Sequence, residues 1–256
     1  MLTNNKNLKG LVIRATDGEI GTVDELYFDD QSWAIRYLTV ETGNWLDSRK
    51  VLISPRSILQ ADWTVNRIDV ALTREQVEKA PNIDTQRPVS RQHEAEYFDY
   101  YRYPYYWSGP DLGGASYLST GYPIGLLPVQ TAESIEEERI RKESADSNLR
   151  STGAVAGYHV EAQDGEIGHV RRFVIDDETW AIRYLEVDTM NWWPGKHVLL
   201  SPGWVESVSW EESKVYVGVT REAIQSCPEY TDRLPITREY ENKLYFHYGR
   251  PPYWTE

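Results

Sequence analysis

Residues 147 positions apart repeat one another through this 256-residue chain, and no gap is needed to keep the two copies in step. Asp17-Gly18-Glu19-Ile20-Gly21 returns as Asp164-Gly165-Glu166-Ile167-Gly168, and the six residues 33–38 (WAIRYL) return unchanged at 180–185. The same offset relates Asn44-Trp45 to Asn191-Trp192, Ser54-Pro55 to Ser201-Pro202, Thr73-Arg74-Glu75 to Thr220-Arg221-Glu222, and Pro104 and Trp107 to Pro251 and Trp254. From Arg14 to Glu75, 28 of 62 positions are identical to their partners. Composition does not produce that agreement, so both copies are expected to share one backbone.

A period this long is not that of a solenoid, whose units span roughly 20 to 50 residues. It predicts two domains, at 1–107 and 151–256. Between them, residues 108–150 open with Gly109, Pro110, Gly113 and Gly114 and close in the charged run from Glu133 to Glu143. That composition reads as a linker with a short helix in its second half.

Within the first copy, short apolar runs are broken by turn signals every eight to twelve residues, the pattern of an all-β barrel or sandwich. Asp17-Gly18 is a hairpin dipeptide. Asp29-Asp30-Gln31-Ser32, Gly43-Asn44 and Ser54-Pro55 separate the later runs from one another. Strands are predicted near 10–15, 20–28, 33–41, 49–53, 57–63 and 67–72. In the last, Ile68, Val70 and Leu72 alternate with Arg67, Asp69 and Ala71, and Val215, Val217 and Val219 keep the alternation in the second copy. Thr73 then stands at a helix N-cap with Gln76 at the reciprocal position, and Pro81 stops the turn. A second helix, capped by Ser90 or Thr237, leads into an aromatic arm. Six short strands suffice for a small barrel filled by its own side chains.

The chain carries 40 acidic against 27 basic residues, a net charge of -13. That balance opposes direct, sequence-independent binding to nucleic acid or to anionic membrane, both of which need clustered Lys and Arg. The longest nearly apolar stretch, Tyr122 to Val129, is eight residues and contains two prolines and a glycine, far too short for a membrane span. The polar first ten residues do not read as a secretory signal, and the single cysteine, Cys227, suits a reducing compartment. A cytoplasmic location is expected.

A DGEIG hairpin, an acidic turn, a W-A-I-R-Y-L strand, an Asn-Trp pair, a Val-Leu strand and Ser-Pro together resemble the PRC-barrel family. That is the β-barrel of the photosynthetic reaction centre H subunit and of the C-terminal half of the ribosome maturation factor. The resemblance covers residues 10–75 and 157–222. It implies a mainly β protein of two tandem six-stranded PRC-type barrels, each followed by short helices and an aromatic arm. It also implies a non-enzymatic scaffold that docks on a macromolecular complex through a protein partner. Two further roles come from the same resemblance: a soluble accessory of the H-subunit kind influencing electron and proton transfer, and a ribosome-associated assembly factor. An enzyme using carboxylates at the barrel junction is the remaining reading.

No catalytic, cofactor or metal residue is assigned. Asp17 and Glu19 flank a glycine that a hairpin needs anyway, and a calcium loop would need more oxygens. The pairs Asp29-Asp30 and Asp176-Asp177 read as solvated turns. His159, His169 and His197 stand opposite Val12, Thr22 and Lys50, so a zinc site would belong to one copy only, and no ligand spacing supports it. Cys227 replaces Ala80 and reads as a small buried hydrophobe. The candidate interaction surface is the aromatic arm: Tyr97, Tyr100, Tyr101, Tyr103, Tyr105, Tyr106 and Trp107, with Tyr253 and Trp254 in the second copy. Tyr and Trp anchor interfaces well, yet an arm folded back over a barrel would bury the same rings, and large exposed apolar patches are uncommon on monomers. The two outcomes could coexist in a homodimer.

Overall fold

The computed structural model describes residues 1–81, 91–106, 148–189, 196–231 and 235–255. The predicted cap at Ser90, the linker helix and the Asn191-Trp192 pair lie outside the described residues. No described helix is long and apolar enough to cross a membrane.

In the first copy the strands are β2 (Val12–Ala15), β3 (Gly18–Asp29), β4 (Ala34–Glu41), β5 (Lys50–Ile53), β6 (Ile58–Asp62) and β7 (Arg67–Val70). In the second they are β9 (His159–Ala162), β10 (Gly165–Asp176), β11 (Ile182–Asp188), β12 (His197–Leu200), β13 (Val205–Ser209) and β14 (Lys214–Val217). The sheets run β5-β4-β3-β2-β7-β6 and β12-β11-β10-β9-β14-β13. Each contains one parallel pair, β2 with β7 and β9 with β14, among antiparallel neighbours.

Each sheet has a seventh strand where six were expected. β1 (Leu2–Asn4) pairs with β10, and β8 (Leu149–Ser151) pairs with β3. These are the opening strands of the two copies, and each lies on the other copy's sheet. The chain accordingly divides into two compact units, Leu11–Arg150 and Met1–Gly10 together with Ser151–Glu256. A short helix follows each donor strand: α1 (Asn5–Leu8) after β1 and α4 (Thr152–Val155) after β8. Asn4 and Ser151 cap them by accepting from Asn7 N–H and Ala154 N–H.

The expected alternation holds in β14, where Val215 and Val217 are buried beside half-buried Lys214 and Tyr216, but in β7 Asp69 is buried along with Ile68 and Val70. Ile13, Ile20, Leu38, Ile53 and Ile68 fill the first unit, and Val160, Ile167, Leu185, Leu200 and Val215 fill the second, all at zero exposure. The DGEIG segment does more than turn the chain. The loop residues are Thr16 and Asp17, with Gly18 already opposite Ala15 in the sheet. Its second glycine is required by close approach: a Cβ on Gly21 would lie 2.0 Å from the Glu41 carbonyl oxygen, and one on Gly168 would lie 1.9 Å from that of Asp188. Trp33 and Trp180 also share a left-handed backbone, at φ 54° and 57°, just before β4 and β11. A bulky residue takes that conformation rarely, so its recurrence marks a turn specified identically twice.

Helix α2 (Arg74–Lys79) and its counterpart α5 (Arg221–Gln225) are held at both ends. The Asp17 and Asp164 carboxylates accept from Arg74 N–H at 2.8 Å and Arg221 N–H at 2.7 Å. At the other end Arg49 donates to the Val77 and Glu78 carbonyls, and Lys196 donates to that of Gln225 at 2.7 Å. Acid at the N-terminus and base at the C-terminus satisfy backbone groups that a helix leaves open. The predicted box at Thr73 and Gln76 is present.

Candidate interaction surface

Helices α3 (Arg91–Tyr101) and α6 (Arg238–Tyr248) carry the aromatic arms. Each is fixed to its sheet by a buried carboxylate that the sequence does not single out. Glu94 is fully buried and accepts from the Tyr37 hydroxyl at 3.1 Å and the Tyr106 hydroxyl at 2.7 Å. Glu241, 2% exposed, accepts from Tyr184 at 2.8 Å and Tyr253 at 3.0 Å, and pairs with Arg238 at 3.1 Å. The carboxylate and both tyrosines of one cluster stand 147 positions from their counterparts in the other. Arg36 and Arg183 complete the match, stacking their guanidinium groups on the Tyr106 and Tyr253 rings at 3.9 and 4.1 Å.

A carboxylate taken out of water is tolerated only where donors replace the lost hydration. Two tyrosines, one from the sheet and one from the end of the arm, supply them here, so burying the acid joins three segments at one point. Burial, then the neighbouring Glu94 charge, pushes the Tyr37 hydroxyl well above its ordinary pKa. Burial, with Tyr245 and Glu241 adding to it, does the same to Tyr184. Both phenols are thereby kept protonated as donors.

The helices differ in how they reach the strand end. In the first copy the Tyr97 hydroxyl accepts from Ser54 N–H at 3.0 Å and donates to the Leu52 carbonyl at 3.2 Å. In the second, Leu244 occupies that helix position, and Tyr245, one residue on, donates to the Ser201 hydroxyl at 3.2 Å. The bulk shifts correspondingly. Ser57 in the first copy becomes Trp204 in the second, where its ring meets Tyr245 at 5.3 Å and Tyr248 at 4.6 Å.

The arm residues therefore fall into two groups. Tyr97 and Tyr106 are buried with Tyr37, Leu52, Phe98 and Leu149, and so are withdrawn from any contact surface. Tyr101, Tyr103 and Tyr105 are half-buried against that cluster, and Tyr100 is 37% exposed. Tyr253 and Trp254 are half-buried, with Arg238 over the Trp254 ring at 3.9 Å. Trp107 lies outside the described residues. Sequence reasoning missed Phe246 on α6, which is 89% exposed, and Leu59 on the sheet edge, at 65%. Each stands where the other copy has a residue of different character, Asp99 and Glu206.

The first carboxylate of each acidic turn is held locally, and Asp29 is buried where a solvated turn was expected, while Asp30 pairs with distant Arg150. Asp29 accepts from Gln31 N–H, Ser32 N–H and the Ser32 hydroxyl, and Asp176 accepts from Glu178 N–H and the Thr179 hydroxyl. His159, His169, Asp188 and His197 form one register row across β9, β10, β11 and β12. Among the described residues, however, no three His, Cys, Asp or Glu side chains group closely enough to hold a metal ion. Cys227 is buried, and burial raises its thiol pKa.

A PRC-barrel domain is present: its family model matches residues 4–77. No curated protein matches the chain.

Proposed function

We propose that the chain is a non-enzymatic, cytoplasmic scaffold in which two PRC-type barrels present aromatic arms to a protein partner within a larger complex. The family match supports this for residues 4–77, and the offset-for-offset agreement of strands, helices and buried Tyr–Glu–Tyr clusters extends the same plan to the second copy. The observation that carries the reading is the anchoring of each arm. With Glu94 and Glu241 holding the inner rings, the outer rings at Tyr100, Tyr105 and Trp254 are set in place before any partner arrives. Rings already ordered lose little conformational freedom on binding. Tyr, Trp and Arg are also the residues that most often dominate interface energy.

The net charge of -13 favours a partner with a basic surface, a condition that a basic ribosomal protein meets. The test is affinity capture with the full chain against a Tyr100→Ser/Tyr105→Ser/Trp254→Ser variant. A partner retained by the native chain and lost with the variant, at matched secondary structure, supports the arms as the surface. Equal capture by both would remove them from that role.

A further inference from the structure

Each seven-stranded sheet takes one strand from the opening of the opposite copy. β1 runs antiparallel to the end of β10, with Leu2 opposite Asp176, Thr3 opposite Ile175 and Asn4 opposite Val174. Asp177 N–H donates to the Met1 carbonyl at 3.1 Å, and Phe173 N–H donates to the Asn5 side chain at 3.1 Å. Leu8, fully buried, and Thr3, 5% exposed, pin the segment. The first copy's sheet receives the matching segment. Asp30 N–H donates to the Asn148 carbonyl at 2.8 Å, Arg150 pairs with Asp30 at 3.0 Å, and Leu149 enters the cluster of Tyr37, Tyr97, Phe98 and Tyr106.

Backbone pairing at a free strand edge recognises an extended segment and a few anchoring side chains, and it does not recognise which chain the segment belongs to. A donor with the same residues in another molecule meets the same edge, the same hydrogen-bonding groups and the same seat for Leu8. We propose that Met1–Gly10 is a transferable strand donor whose partner is a second copy of this chain. Two chains exchanging these segments reciprocally form a closed dimer that keeps every donor–acceptor contact of the single chain. The tether within one chain raises the local concentration of its own donor, so the single chain dominates when dilute and the dimer grows when chains fold together at high concentration. This inference is independent of the scaffold reading.

The experiment uses full-length chains carrying Cys227→Ala, the residue already present at position 80. Leu2→Cys and Asp176→Cys, directly opposed in the ladder, are placed on separate chains, which are mixed, unfolded, refolded and oxidised. A disulfide-linked dimer with one chain of each kind is expected, and its ratio to monomer should rise about tenfold when refolding is tenfold more concentrated. The same two cysteines in one chain should close an internal bond. If the internal bond closes and mixed chains never cross-link, the donor is not transferable; if the internal bond fails to close, the strand exchange itself is wrong. Should the cysteine variants not fold, the native chain refolded at high concentration must show, by light scattering, a dimer that is missing when it is refolded dilute. Monomer alone overturns the proposal.

Discussion

The Tyr184 hydroxyl donates to the buried Glu241 carboxylate at 2.8 Å, tying the middle of β11 to the first turns of α6. Tyr184→Phe removes one of the carboxylate's two phenol donors without changing the ring. Leaving a buried charged acceptor short of a donor costs about 1 to 3 kcal/mol. The urea midpoint should fall accordingly, and Tyr37→Phe should act alike through Glu94. An unchanged midpoint in both variants would show that these carboxylates do not fasten the arms.

Gly21→Ala and Gly168→Ala should damage the protein more than substitution of a glycine with room beside it. The new methyl would meet a main-chain carbonyl far inside normal contact distance, and backbone cannot swing aside as a flexible side chain can. A loss of about 1 to 3 kcal/mol or failure to accumulate in soluble form is expected. Thermal midpoints of the two variants alongside Gly203→Ala, in the turn before β13, whose nearest atom is the Ser201 hydroxyl at an ordinary contact distance of 3.7 Å, provide the comparison.

Asp17→Ala and Asp164→Ala should each weaken the short helix whose first N–H the carboxylate caps, by about 1 kcal/mol. Proteolysis near residues 80 and 227 reads this out. Cleavage no faster than in the native chain would deny the carboxylates that function.

Acid and alkaline limbs should differ in origin. Gln60, at 2.8 Å, and then Arg14 and Arg67 hold the Asp69 carboxyl below its ordinary value of 3.8. Its contribution is complete above that value and disappears as pH falls through the lowered one, so Asp69→Asn should flatten stability below about pH 4. In the arms, burial followed by the hydrogen bond to Asp99 pushes Tyr105 up to about 12, and burial followed by the Glu241 charge pushes Tyr253 up to about 12. Groups raised in the folded state stabilise it fully below about pH 10 and cease to do so as pH climbs through the raised value. Ultraviolet titration should therefore show a late class of phenols. A single class ionising near the ordinary tyrosine value in folded protein would contradict the buried network.

Most strands are legible in the sequence because apolar alternation is a local signal: Ile68 and Val70 mark the strand within four residues, although Asp69 between them is buried as well. The donor strands are not. Leu2-Thr3-Asn4 is too short to show a period, and its apolar anchor, Leu8, stands apart from it at the end of helix α1. No local pattern in either copy marks which of the two sheets its opening strand joins. Glu94 and Glu241 do not stand out among 40 acidic residues, although each shares the 147 offset with two tyrosines and an arginine. The anchoring of the arms becomes visible only when the sheet places Tyr37 beneath the helix. Gly21 reads as part of a turn, because the carbonyl that excludes a side chain there belongs to Glu41, on a different strand.

Because β1 completes β10, removing the first ten residues would wound the body encoded by the last hundred and leave the neighbouring sequence largely whole. Deletion maps of this chain should therefore be drawn by sheet and not by position.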